Sequence, residues 1–466
     1  MSQSSDPVPG GRSGDQERGE ALAANLTRSG VVGVALCYVD TAGITRVKGI
    51  STAALGSACI WGVGMSPIFD IMMADDAIAE TATLGGPDGD IRLYPDLEQV
   101  TVLAGQQGWA WVPADRVTQE GGPHPGCTRT LLRHVQSGLA DEDLEFRVAI
   151  EIEFTLGRGD ARDAEFVPAC DGPAYGMTRM IELSAFTRDL LAALVQQGVE
   201  VKQLHPEFAA GQFELSVAPL DPVRAADRSV LVRQTIRSIA GQHGMRVSFA
   251  PSVVASEVGN GGHVHLSVWR NGVNLHAGGS GRYGLTEKAE NIIAGILDAL
   301  PALAVLTTPS PASFLRLRPS QWAGVYACWG YENREAALRL ITGSVGQRAD
   351  ASNVEVKCAD LAANPYLLLA GLLVAAKDGL RRDLRLPPET SGDPASLGTD
   401  ERARRDVRRL PTTMEEAIDA FMDRPALRDR LGPVLTEAIL AVRRGEAARM
   451  ANTEPAAVAA AYRWIY

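Results

Sequence analysis

Four short segments between residues 147 and 358 alternate in polarity, with carboxylates or imidazoles on one side of each. They are 147–156 (RVAIEIEFTL), 205–217 (HPEFAAGQFELSV), 259–268 (GNGGHVHLSV) and 353–358 (NVEVKC). In the first, Val148, Ile150, Ile152 and Phe154 alternate with Ala149, Glu151, Glu153 and Thr155. A period of two predicts a strand with the apolar set on the core side and both glutamates on the other. The second segment sets Gln212, Glu214 and Ser216 opposite Phe213, Leu215 and Val217. The third groups His263, His265 and Ser267, and the fourth sets Glu355 beside Lys357. Such strands build a box of carboxylates. Two carboxylates in one site already push one pKa strongly upward, so five glutamates with one histidine require cations. An oxygen-dominated set with a single imidazole suits Mg²⁺ or Mn²⁺ better than Zn²⁺. Two divalent ions would partly neutralise the cluster and leave open positions for substrate oxygens.

The rest of the chain limits what this box can serve. The 466 residues are 45% hydrophobic with a net charge of −11, long enough for two domains and too acidic for a nucleic-acid surface. The one dense basic run, 402–409 (RARRDVRR), is interrupted by Asp406 and reads as a solvated segment. Six cysteines without a C-x-x-C pair point to reduced thiols and a cytoplasmic location. Residues 1–20 are polar, rich in Gly, Ser and Pro, and lack an apolar signal-peptide core, so a disordered tail is expected over 1–26. Residues 366–376 (YLLLAGLLVAA) form the longest apolar run, too short to span a bilayer. Asn364-Pro365 before it and Gly379 after it mark a buried helix. The stretch 31–47 reads as a hairpin turning at 41–43, opening a small α/β unit over 27–120. A larger domain over 121–466 begins with an amphipathic helix carrying Leu131, Leu132, Val135 and Leu139. The 385–412 stretch reads as an exposed loop or flap. The fold class is α+β.

In order along the chain stand E-x-E, H-x-E with G-Q-x-E, G-x-G-G-H-x-H, R-x-R-P, N-R-x-x-x-x-R, and E-x-K followed by D-x-x-x-N-P-Y. With this ordered set the chain resembles the glutamine synthetase family from about residue 30 onward. The resemblance implies a small N-terminal β-grasp domain and a larger catalytic domain of antiparallel strands and helices. It implies Glu153, Glu207 and Glu214 as ligands of one Mg²⁺ or Mn²⁺, and Glu151, His263 and Glu355 as ligands of a second that bridges the ATP phosphates. His265 and Ser267 would contact ATP, with Arg334, Arg339 and Arg348 around the triphosphate. Gly259 and Arg316 would hold L-glutamate, with Lys357 nearby. The family phosphorylates the glutamate γ-carboxylate from ATP, and an amine then displaces the phosphate. No P-loop motif is present, so phosphates fall to metal and arginine forks. Stacked rings of twelve subunits, with active sites shared between neighbours, are implied by the resemblance alone.

The departures bear on the nitrogen donor. Ammonium-using enzymes of the family carry a flap glutamate where this chain has Trp322, in Arg316-Leu317-Arg318-Pro319-Ser320-Gln321-Trp322. They carry an aspartate in a small-domain stretch that here reads Gly62-Val63-Gly64-Met65-Ser66. Both acids that would grip ammonium are missing, and an indole offers an apolar, π-faced wall for an alkyl amine. Lys357 also stands where the family usually has an arginine. The expected function is therefore ligation of glutamate to a primary amine, with a short monoamine such as ethanolamine favoured because neither pocket segment holds a carboxylate for a distal ammonium. A γ-glutamylpolyamine synthetase, an ammonia-using glutamine synthetase and a catalytically quiet nitrogen sensor are the alternatives. Many bacterial relatives are adenylylated on a tyrosine in the loop at 382–389, where this chain has Leu384. Treatment with an adenylyltransferase and ATP is expected to yield no AMP-bearing peptide from this loop by mass spectrometry.

Overall fold

The computed structural model describes residues 13–86, 89–140, 142–159 and 165–466. Residues 1–12 of the expected tail lie outside the described residues. From Ser13 to Arg28, however, the chain is a helix rather than a disordered tail. Ala23 and Leu26 on its inner side are buried with Val34, Leu36 and Leu93 of the small-domain core. The polar composition of residues 1–20 masked this, because the burying residues lie in the second half of the helix.

The small domain carries β1 (Gly33–Val39), β2 (Thr45–Ser51), β3 (Val63–Met65), β4 (Ile91–Pro95), β5 (Thr101–Val102) and β6 (Trp109–Thr118). They form one sheet in the order β2-β1-β6-β4-β3, with β5 on β6. β1 and β2 are the expected antiparallel hairpin, and β1 runs parallel to β6. The helix Thr128–Ala140 then opens the larger unit and buries Leu132, Val135 and Leu139 as its periodicity requires.

The first acidic segment departs from the expectation of a single strand. It is two strands, β7 (Glu145–Ile150) and β8 (Ile152–Arg158), broken at Glu151. β8 joins β9 (Val167–Pro168), β10 (Val201–Pro206), β11 (Gln212–Val217) and β12 (Arg246–Ser248) in a five-stranded sheet ordered β10-β11-β8-β12. β7 instead pairs with β13 (Val264–Arg270) in a sheet ordered β14-β13-β17-β16-β15-β18. Its remaining members are β14 (Val273–Asn274), β15 (Tyr326–Tyr331), β16 (Ala336–Ile341), β17 (Asn353–Val356) and β18 (Arg408–Arg409). Most pairings are antiparallel, but β15 and β16 run parallel. The apolar alternation continues unbroken through Ile150 and Ile152, both buried, which is why the sequence pattern cannot register the change of sheet. β18 lies within the 385–412 stretch and extends this sheet by pairing with β15, so that stretch is partly structured rather than a simple loop.

The buried helix expected around 366–376 is Pro365–Arg381. Asn364 caps it, its Oδ1 accepting from the amides of Tyr366 (2.9 Å) and Leu367 (3.1 Å). The same side chain donates Nδ2 hydrogen bonds to the carbonyls of Val39 (3.1 Å) and Asp40 (3.0 Å), tying the catalytic unit to the small domain. Among the described residues one helix, Glu287–Thr307, is long and apolar enough to cross a membrane, yet 83% of its apolar window is buried inside the fold.

A second tie is ionic. Arg129, buried on the helix Thr128–Ala140, bonds Asp96 (2.6 Å) and Asp115 (3.0 Å) of the small domain and Asp227 (2.9 Å) of the helix Pro222–Gln242. Burial raises the pKa of Asp227, and Arg129 compensates its charge. Breaking a buried pair from one side costs about 3–5 kcal/mol. Arg129→Ala is therefore expected to lower the denaturant midpoint by a corresponding amount, measured by urea unfolding followed by circular dichroism. An unchanged midpoint would exclude this role.

Candidate active site

The two sheets meet at the first acidic segment, and the break at Glu151 places neighbouring ligands on both. In one sheet Glu153 on β8 stands opposite Glu214 on β11, which stands opposite His205 on β10. In the other, His265 on β13 stands opposite Glu355 on β17, which stands opposite Arg339 on β16. Between them opens a cavity of about 640 Å³, lined by all six expected metal ligands and by Gly259, Arg316, Trp322, Arg334, Arg339 and Lys357.

Two groups of donor atoms lie at or just behind its wall. In one, ligand atoms of Glu151, His265 and Glu355 come within 4.8 Å of one another; in the other, those of His205, Glu207 and Glu214 do. His263 belongs to the first neighbourhood, with Nδ1 2.9 Å from Glu151 and 3.4 Å from Glu355. Glu153 lies between the groups, its Oε1 3.7 Å from His263, while its Oε2 accepts the Gly261 amide at 2.8 Å and Gln212 at 3.2 Å. The glycines of G-x-G-G follow from this crowding. A Cβ on Gly261 would stand 2.8 Å from Glu153 Oε1 and 2.9 Å from Arg316 Nη2.

The electrostatics differ between the two groups. Burial opposes ionisation of Glu355, but Lys357, His265 and His263 hold it down to about 2, with Lys357 Nζ 3.1 Å away. Glu151 is likewise held low against burial by His265 and His263. In the other group, burial and then Glu153 push Glu207 up to about 7, and burial raises Glu214. His205 is raised to about 9, first by its hydrogen bond to Glu214. The histidine, lysine and arginine partners balance the first group internally. In the second, His205 offsets Glu214 and Glu207 only in part, and Glu207 stays raised by burial and by Glu153, a condition a hard divalent cation relieves. An oxygen-rich donor set of this kind fits Mg²⁺ or Mn²⁺.

Arg316 is 6% exposed and donates Nη2 to the Lys357 carbonyl at 3.0 Å, with His263 Nε2 at 3.1 Å. Its Nη1 is buried without a partner, an orphaned charged donor suited to a carboxylate. Arg339 reaches Glu355 at 3.2 Å and Glu332 at 2.6 Å. Three of the expected ATP residues do not line the cavity. Arg348 is exposed on the short helix Arg348–Ala351. Ser267 is buried, and its Oγ accepts the Trp269 indole N–H at 2.9 Å. His265 lies behind Glu151, 2.9 Å from it. The 62–66 segment does not line the cavity of its own chain.

Trp322 does line the cavity, 53% exposed, and its backbone is left-handed at φ 55°. Ser320 is left-handed too, at φ 59°. For side chains of this kind the conformation costs roughly 1–2 kcal/mol per residue. The Arg334 guanidinium lies 5.7 Å from the indole centroid, within cation–π range.

Some cavity residues were not singled out from the sequence. Tyr175, also left-handed at φ 56°, donates to Glu207 at 2.7–2.8 Å and stacks on His205 at 5.6 Å. Nothing in its loop (DGPAYG) marks it. His205 had a signal, since it lies two residues before Glu207 in the H-x-E motif.

The family model "Glutamine synthetase, catalytic domain" matches residues 125–460. The chain belongs to the glutamine synthetase family. It is 59% identical over 463 residues to the gamma-glutamylpolyamine synthetase GlnA3 of Streptomyces coelicolor, covering 99% of both chains. It is 30% identical to the glutamine synthetase of Methanocaldococcus jannaschii, covering 81% of this chain and 84% of the other. A solved structure described as a novel glutamine synthase homolog superposes with a TM-score of 0.83 at 32% identity, covering 94% of this chain and 99% of that one. A GmaS–ADP complex superposes with a TM-score of 0.82 at 26% identity, covering 93% and 97%. The family uses ATP with divalent metals such as Mg²⁺ or Mn²⁺, and the chain is an ATP-dependent glutamate–amine ligase.

The metal dependence is directly testable. EDTA is expected to abolish ADP release and Mg²⁺ or Mn²⁺ to restore it. Glu153→Ala and Glu214→Ala are expected to fold, by circular dichroism, yet to lose at least about 99% of turnover, as loss of roughly 3 kcal/mol of transition-state stabilisation implies. Full turnover by either variant would contradict the assignment.

Proposed function

We propose that this ligase joins the γ-carboxyl of L-glutamate to a primary amine of a polyamine, forming a γ-glutamylpolyamine with release of ADP and phosphate. The observation that carries the reading is Trp322, half-exposed on the cavity wall where ammonium-using relatives have a glutamate. The full-length similarity to a gamma-glutamylpolyamine synthetase supports polyamines over ethanolamine. The case for ethanolamine was that 62–66 and 320–324 hold no carboxylate. The cavity draws its acids from elsewhere, since Glu207 and Glu214 line it. Two further carboxylates, Glu335 and Asp393, adjoin the Trp322 loop from separate segments.

In the proposed reaction a γ-carboxylate oxygen of glutamate attacks the γ-phosphorus of ATP. The bond to the β–γ bridging oxygen breaks, leaving ADP and γ-glutamyl phosphate. The amine nitrogen then attacks the carbonyl carbon (Cδ) of the acyl phosphate, phosphate departs with the C–O bonding pair, and the nitrogen loses a proton. Arg316, with its orphaned Nη1, orients glutamate against the glycine-rich segment at Gly259. Arg339 and Arg334 stabilise the transferring phosphoryl oxygens. Glu151, His263 and Glu355 would hold one divalent cation and Glu153, Glu207 and Glu214 a second, supplying charge neutralisation and Lewis-acid polarisation. Trp322 excludes water from the acyl phosphate and receives the alkyl stem. We further propose a cytoplasmic, ring-stacked oligomer in which a neighbour's 62–66 segment completes the donor side.

Steady-state ADP release with putrescine, spermidine, spermine, ethanolamine and ammonium tests the donor. Two additional buried methylenes contribute about 1.6 kcal/mol, or about tenfold. At least one polyamine is therefore expected to exceed ethanolamine by about that factor in kcat/KM, and ammonium by more. Product masses identify the amide. Ethanolamine or ammonium as best donor would overturn the polyamine reading.

A further inference from the structure

We infer that Glu335 is a positioning residue for donor selectivity, acting through the backbone of Trp322. The inference rests on the reading that Trp322 walls the donor site.

Trp322 is held in place by little packing, since its side chain is half-exposed. Its position is set by the backbone of the loop that carries it, which alternates into left-handed conformation at Ser320 (φ 59°), Trp322 (φ 55°) and Gly324 (φ 63°). The ends of this loop are fixed. Arg318 Nε donates to the Leu315 carbonyl at 2.7 Å, and its Nη2 reaches the Ala255 carbonyl. At the other end Gly324 lies so close to the next strands that a Cβ there would stand 2.9 Å from the Lys357 Cβ and 3.0 Å from the Ala337 Cα.

The middle of the loop is held by two carboxylates from outside it. Ser320 Oγ donates to Asp393 Oδ2 at 2.6 Å. The Trp322 amide donates to Glu335 Oε1 at 3.0 Å. Glu335 is itself 9% exposed, with its own amide bonded to Asn333 Oδ1 at 3.0 Å. Consecutive residues therefore grip Trp322 at both ends. Arg334 faces the indole and Glu335 holds the amide. Without the Glu335 acceptor, an indole residue has no reason to remain left-handed and relaxes toward the extended region, carrying the side chain away from the cavity. The expected consequence is confined to the donor. Arg316 precedes the end of the loop fixed at Arg318 and the metal ligands lie on other segments, while Arg334 keeps its own backbone place beside Glu335, so glutamate and ATP are expected to bind as before.

The test is steady-state kinetics of the full chain with spermidine as the varied donor, and separately with glutamate and ATP varied. Glu335→Ala is expected to raise the spermidine KM about tenfold or more, the scale of losing a hydrogen bond to a charged acceptor. Its KM values for glutamate and ATP are expected to stay near those of the wild type, which a folding defect would not produce. Glu335→Gln keeps an amide oxygen acceptor and is expected to restore the spermidine KM to within about threefold of the wild type. Ser320→Ala, which frees the second brace, is expected to act in the same direction but less. An unchanged spermidine KM in Glu335→Ala overturns the inference. Equal impairment by Gln and Ala also overturns it, because it would mean that the carboxylate charge meets the amine directly. Trp322→Ala run in parallel separates the two levels: an unchanged spermidine KM there removes the donor-wall reading itself, whatever Glu335 does.

Discussion

Glu153, Glu207 and Glu214 face one another across a cavity where burial already disfavours their charge. The rest of the catalytic unit is organised around making that tolerable. Carboxylates this close raise one another's pKa, and Glu207 is pushed up to about 7. The neighbouring group meets the same difficulty differently, with Lys357, Arg339, His263 and His265 arranged around Glu151 and Glu355. One half of the box is surrounded by lysine, arginine and histidine, and the other has His205 alone as a cationic partner, which leaves Glu207 raised. That asymmetry gives the site a place for a divalent ion without requiring every acid to wait for one. The crowded glycines at 259–262 and the buried Asn260–Thr155 hydrogen bond (3.0 Å) are the backbone side of the same packing problem.

Most of this box was legible in the sequence because strands expose their chemistry at alternate positions. Glu214 beside Phe213 and Leu215, or Glu355 between Val354 and Val356, can be assigned a face from spacing alone. The capped helix Pro365–Arg381 and the hairpin of β1 and β2 were legible for equally local reasons. What spacing does not encode is which sheet a strand joins. The break at Glu151 leaves the apolar alternation intact, so one apparent strand is two. The helix Ser13–Arg28 was hidden in the same way, because a polar first half dilutes the burying positions of the second.

The donor side was the least legible region, and its residues explain why. Tyr175, Trp322 and Ser320 take left-handed backbone conformations that ordinary propensity assigns to glycine or asparagine. Glu335 and Asp393 reach the Trp322 loop only through tertiary packing. A reading limited to contiguous segments does not register either carboxylate. Arg348, expected at the triphosphate from its place in an ordered motif, is exposed and does not line the cavity of its own chain.

The change of sheet at Glu151 has a consequence for how the two proposed cation sites are spaced. Glu151 stands at the break between the two sheets and Glu153 on β8, separated by a single residue, Ile152, buried in the core. Extended chain advances about 3.3 Å per residue, so covalent geometry keeps the Cα atoms of the two glutamates within about 7 Å, however the sheets breathe. Loosening the core would let the sheets rotate about Glu151 like the arms of a pair of dividers, altering the aim of each carboxylate while the pivot stays fixed. The distance between the two Cα atoms is thus bounded by the chain, and the direction of each carboxylate is left to packing.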